Sequence, residues 1–270
     1  MSLAIAFKGP EGIVLAADSR VTLNAQLPPN VILPSTFDNA TKLLKVTGQD
    51  FVGVVTYGLG AIGEREPRTA HSFMPEFEAE LAQADLNRLG VDDFASRLSD
   101  FFMRQWSSTM PGSFRGPDMV FLIGGYDVGS PYGRVLELGI PGRPNPREWN
   151  AGATFGVTWG GQREFTDRLL QGFDNQLIGI TQAKLGLADK QVKELDEELR
   201  EKLSARIPYQ FLPLQDCVDL AIFLIRTTIK IQTWSVSVRG VGGAIDVATI
   251  TRTEGLKAVQ QKFIRGEDGG

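Results

Sequence analysis

The sequence predicts an α+β fold built from two sheets, each faced by a pair of helices. Strand-like and helix-like runs fall into separate groups instead of alternating one for one, which favours layered sheets over βαβ units. Their order is strands, two helices, strands, a long helical stretch, and a last strand and helix. No linker-like stretch divides the 270 residues, so a single domain covering 1–270 is expected, long enough to bury a large core.

The runs LAIAFKG and GIVLAAD, between Ser2 and Asp18, flank Gly9-Pro10-Glu11-Gly12, whose residues supply turn dihedrals, so the chain opens with a hairpin. Val21 to Asn39 is rich in Pro and Asn and reads as an extended loop. KLLKV and FVGVVTYG form a second strand pair around Gly48-Gln49-Asp50. Pro75 suits a first helical turn, which FEAELAQA continues with good helix formers. In GVDDFASRLSDFFMRQW, Val91, Phe94, Leu98, Phe101 and Phe102 share one side of a helix. MVFLIGGYD, GRVLELGI and ATFGVTW are strand-like.

Residues 163–232 return to helix, including a charged part near 175–210. There Val192, Leu195, Leu199 and Leu203 make a narrow apolar stripe in a highly charged segment, the pattern of a solvated helix with one docked face. DCVDLAIFLIRTTIKI is apolar on most of its circumference and is expected to be buried. AIDVATI then reads as a strand and EGLKAVQQKF as a final helix.

Charged residues at 22% and apolar ones at 42% are proportions of a folded globular chain. The 28 cationic and 32 anionic side chains are interspersed, so no basic stripe offers a footprint for nucleic acid or anionic lipid. One cysteine, Cys217, precludes an internal disulfide. With one histidine, His71, it cannot make a usual zinc site, so neither metal nor cofactor is expected. MSLAIAFKGPEG lacks the features of a secretory signal, and the apolar run Leu220 to Ile225 is too short to span a bilayer; a cytoplasmic protein is expected.

Three features bear on chemistry. Ser2 follows an initiator Met, which is removed most readily before small residues. The product would carry a hydroxyl nucleophile and an α-amine base on one residue, the amine having a reference pKa of roughly 7.7 to 8. Ala16-Ala17-Asp18-Ser19-Arg20 ends a strand of small residues in an acid, a hydroxyl and a base. By itself this triplet reads as a strand-end turn with a solvated charge pair. Lys42, opening the next strand, reads by itself as an exposed edge charge.

Taken together, Ser2, the hairpin, GIVLAADSR and TKLLKV resemble the proteasome β-subunit family of N-terminal-nucleophile hydrolases, in the manner of a divergent bacterial homologue. The interval from Ser2 to Asp18 is the family's own, without a gap. Lys42 matches the family's catalytic lysine after a longer loop, and Gly58 in VVTYGLGAIG matches the glycine that offers its N–H to the oxyanion. The resemblance implies a four-layer αββα sandwich, to whose core the helical part near 175–210 looks like an insertion. It places Val21, Ala40, Leu44, Thr56 and Gly60 around an apolar specificity pocket. Two departures stand out: serine replaces the usual threonine, and the supporting Asp and Ser near the late glycine turn appear as Val238 and Val241.

The implied reaction is attack of Ser2 Oγ on a peptide carbonyl, its proton passing to the α-amine. Lys42 would lower the amine's pKa and Asp18 would hold Lys42. The implied partners are peptide or unfolded protein substrates, further copies of the chain in a ring or related assembly, and an ATPase unfoldase. A catalytically silent ring or scaffold subunit, and an amidase or acyltransferase acting on a small amide, are the rival readings.

Overall fold

Burial along their whole length sets β1 (Leu3–Lys8) and β2 (Ile13–Asp18) apart from ordinary surface strands. Both faces of the hairpin are apolar, so it needs neighbours on each side. The Gly9 N–H donates to the Gly12 carbonyl at 2.9 Å and closes the turn. The computed structural model describes residues 2–27, 31–64, 66–236, 239–264 and 266.

The segment expected as a loop instead makes a two-stranded antiparallel hairpin, β3 (Val21–Leu27) and β4 (Val31–Phe37), with Val21 opposite Phe37. Pro and Asn misled here because a two-stranded edge leaves ladder positions that need no N–H: Pro34 sits in β4 opposite Asn24. The part of that expectation covering Pro28 to Asn30 lies outside the described residues. Next come β5 (Leu43–Leu44) and β6 (Val52–Gly58), then α1 (Met74–Gln83), with Pro75 in its first turn, and α2 (Val91–Thr109). All five residues assigned to one side of α2 are buried.

Strands β7 (Met119–Gly125) and β8 (Arg134–Ile140) follow, and then β9 (Arg143–Glu148), which was not anticipated. Its sequence, RPNPRE, has two prolines, tolerable because β9 is the edge of its sheet. After β10 (Gly156–Gly161) the helical stretch divides into α3 (Glu164–Leu170), α4 (Asn175–Leu185), α5 (Asp189–Leu203) and α6 (Leu214–Trp234). The helix α6 buries one face only. Phe223 and Trp234 stand open to solvent, so the expectation of general burial is corrected.

The chain ends in a hairpin of β11 (Ile245–Thr251) and β12 (Gly255–Gln260), where a final helix was expected. Gly255, at φ 65°, makes the turn, and the pairing of Ile250 with Leu256 commits EGLKAVQ to a strand despite its helix-forming residues.

Two five-stranded antiparallel sheets result, ordered β10-β1-β2-β11-β12 and β5-β6-β7-β8-β9. Their side chains fall into three buried clusters. One joins β6, β7 and β8 to α1 and α2 through Phe73, Phe77, Phe94, Phe101, Phe102 and Phe121. A second joins β1, β2 and β11 to α6, with Ile5, Phe7, Val14, Ala221, Leu224 and Ile225. The third combines residues of both sheets, including Ala4, Ile13, Leu15, Val55, Leu122 and Ile250. A Cβ on Gly53 would lie 2.2 Å from the end of the Leu256 side chain, which would have to shift to admit it.

Candidate active site around Asp18

Position 18 ends β2, and the antiparallel register puts Ile245 of β11 beside it. The Asp18 side chain is wholly buried and accepts four hydrogen bonds. Oδ1 takes the Leu3 N–H at 3.0 Å and the Lys42 ammonium at 2.7 Å. Oδ2 takes the Gly242 N–H at 2.9 Å and the Arg20 N–H at 3.1 Å. A carboxylate without water is stable only when its lone pairs are met in this way and a cation is near. The solvated charge pair is thereby excluded: Arg20 turns away to a bidentate pair with Asp38, at 2.5 and 2.7 Å.

Lys42 is also buried, not an edge charge. Its carbonyl accepts the Thr56 N–H at 3.0 Å, extending the β5–β6 ladder and fixing where its side chain starts. Burial pushes the ammonium below its ordinary pKa; Asp18 opposes the shift, while Lys262 and Arg20 add to it.

Ser2 is 5% exposed, immediately before β1. Its carbonyl accepts the Gln162 N–H at 2.8 Å. The Ser2–Leu3 peptide is therefore held at both edges, by Gln162 on the carbonyl side and Asp18 on the N–H side. Gly161, at φ 100°, comes so close that a Cβ would stand 1.8 Å from the Ser2 carbonyl oxygen. The structure thus gathers Asp18, Lys42 and the Ser2 backbone into one connected set.

Gly58 ends β6 at φ 84°, where a Cβ would meet the Asp118 carbonyl at 2.2 Å; close backbone approach alone demands glycine. Among the expected pocket residues, Val21 and Thr56 are buried, while Ala40 and Gly60 are half-buried. The Ala40 N–H donates to the Ser19 carbonyl at 2.9 Å. Leu44 is packed into the phenylalanine-rich core. A separate cleft of about 580 Å³ opens past Gly160 and Gly161, walled by Tyr57, Glu137, Trp149 and Arg163. Val238 lies outside the described residues.

Sequence reading missed Gln162 and Gln232. The Val241 N–H donates to Gln232 Oε1 at 3.0 Å, and Gln232 Nε2 donates to Gln162 Oε1 at 2.8 Å. The available signal was a polar residue on a buried helical stripe: Cys217, Ala221, Leu224, Thr228 and Gln232 follow the 3–4 spacing. Behind Asp18, Lys262 pairs with Asp246 and donates to Ser19 Oγ at 3.1 Å. Among the described residues no group of three His, Cys, Asp or Glu could hold a metal, and no helix is long and apolar enough to cross a membrane.

The chain shares a fold with Anbu. A mutant Anbu from Hyphomicrobium sp. strain MC1 superposes with a TM-score of 0.56. The alignment covers 99% of this chain and 89% of that one, at 16% identity. No family model and no curated protein matches the chain. Assignment to the proteasome β-subunit family as a divergent homologue, which the motifs had implied, is corrected accordingly: at this identity the likeness is one of fold.

Proposed function

We propose that this chain is an N-terminal-nucleophile hydrolase that cuts amide bonds in peptides. The observation that carries this reading is the buried Lys42–Asp18 pair, whose shared Oδ1 also accepts the Leu3 N–H. The cation is thereby tied to the residue that follows Ser2.

Loss of Met1 would free the Ser2 α-amine. Ser2 Oγ then attacks the carbonyl carbon as its proton moves to that amine, whose pKa the Lys42 ammonium depresses. The Gly58 N–H meets the oxyanion, a contact worth roughly 3 to 4 kcal/mol in comparable sites. Collapse of the tetrahedral adduct expels the leaving amine with the proton held on the α-amine. Water then attacks the ester, with the same amine as base, and regenerates the Ser2 hydroxyl. Serine lacks the methyl that restricts threonine's rotamers, so turnover is expected to be slow.

In this reading Val21, Ala40, Thr56 and Gly60 bound an apolar specificity pocket, while Leu44, packed in the core, does not reach it. The three buried clusters stack as a four-layer αββα sandwich, with α4 and α5 as an addition within the single domain. Copies of the chain self-associate around their sites in the cytoplasm, and an ATPase unfoldase supplies unfolded protein.

The test is intact-mass analysis before and after treatment with a peptide β-lactone. Loss of Met1 with a probe adduct on Ser2 is the expected result. Retained Met1 and no adduct would make the chain a catalytically silent scaffold, the reading that the apolar side chain of Val241 favours. Faster turnover of small amides than of peptides would move the substrate class to an amidase's.

A further inference from the structure

Two consecutive N–H groups of the late glycine turn begin two separate hydrogen-bond paths that end on one peptide group. The Gly242 N–H donates to Asp18 Oδ2, and Asp18 Oδ1 accepts the Leu3 N–H. The Val241 N–H donates to Gln232, Gln232 donates to Gln162, and the Gln162 N–H donates to the Ser2 carbonyl. Both paths converge on the Ser2–Leu3 peptide, from opposite edges.

We infer that Gln232 and Gln162 are positioning residues, which clamp the Ser2–Leu3 peptide against Asp18 and so set the direction of the Ser2 side chain. The catalytic part of this inference rests on the function proposed above; the clamp itself does not.

The polarity of the path follows from its first member. A backbone N–H can only donate, so Gln232 must turn its carbonyl oxygen to Val241 and its NH₂ group to Gln162. Gln162 in turn must present its carbonyl oxygen. Gln232 is 1% exposed, where a lost partner is expensive and an amide flip would set two donors face to face. Val241, which offers no polar side chain, therefore contributes through its backbone. Gly161 completes the fit, because its missing Cβ lets the strand leading to Gln162 lie against the Ser2 carbonyl. Orientation matters strongly in acyl transfer, where a misplacement of about 1 Å can cost on the order of a hundredfold in rate.

The decisive variant is Gln232→Glu. Its carboxylate can still accept from Val241 but cannot donate to Gln162, whereas the protonated acid can do both. Burial raises the pKa of such an acid, so protonation is within experimental reach. Ser2 acylation by the β-lactone probe should be about tenfold or more slower than wild type at pH 8. The ratio of variant to wild-type rate should climb as pH falls. Gln232→Leu should show the deficit at every pH.

The exchange rate of the Leu3 amide, followed by NMR, reads the clamp without chemistry. It should rise in Gln232→Leu relative to the Ile5 amide of the same strand. Wild type that never reacts with the probe would overturn the proposed function while leaving the exchange experiment to decide the clamp. A reactive wild type with variants equally fast, or unchanged Leu3 exchange in a folded Gln232→Leu, would overturn this inference.

Discussion

The end of β2 and the core beneath α1 and α2 are equally dry but are built on opposite terms. Under the helices, six phenylalanines meet mostly edge to face, with Phe73 and Phe102 centred 5.7 Å apart and Phe101 and Phe102 5.3 Å apart. Such contacts are individually small and collectively large, and none depends on a single partner. Around Asp18 each group depends on another: one carboxylate satisfies Leu3, Lys42, Arg20 and Gly242. The contrast teaches that the phenylalanine core spreads its stability over many small contacts, whereas the polar end is an all-or-nothing arrangement whose value lies in the geometry it imposes on Ser2.

The sharpest way to break this comparison is Asp18→Ala. It leaves a buried ammonium without a counterion and three N–H groups without acceptors. The expected loss is about 5 kcal/mol or more in urea melts, together with all Ser2 labelling. A stable, reactive variant would show that the polar end is not cooperative.

Phe102→Ala should cost about 3 to 5 kcal/mol in the same melts. While the protein stays folded, the Ser2 labelling rate should hardly change. A labelling rate that fell with stability would erase the distinction between the two regions.

The smallest effect concerns pH. Because burial lowers the Lys42 pKa from 10.5, the unfolded chain binds a proton that the folded one has released across the window between the two values. Lys42 therefore makes stability rise with pH through that window and adds no slope below it. The slope should be shallower in Lys42→Met than in wild type. Identical slopes would mean that Lys42 is solvated.

Those measurements bear on residues of unequal legibility. The opening hairpin and the buried face of α2 could be read directly, because apolar runs flanking a Gly-Pro turn and a stripe of period 3.6 are local properties. So could the end of β2 at Asp18. The β3–β4 and β11–β12 hairpins and the edge strand β9 were misread or missed, since proline in an edge strand and helix formers in a paired one are tolerated only by virtue of neighbours supplied elsewhere. The same limit hid the glutamines. Nothing near Gln162 signals that it meets a residue seventy positions away on α6.

By itself, the sequence determined the strands that begin after Ser2 and end at Asp18, the apolar stripes that demand two faced sheets, and the residue types from which a nucleophile, a cation and an acid are drawn. Only the tertiary structure decided that Asp18 is sealed from water, that Lys42 pairs with it while Arg20 turns to Asp38, and that a turn near residue 241 reaches the Ser2 peptide by two routes. The physical reason is that propensity and periodicity act over a few residues, whereas desolvation and hydrogen-bond satisfaction are settled by whichever groups the folded chain brings within 3 Å, however far apart in sequence.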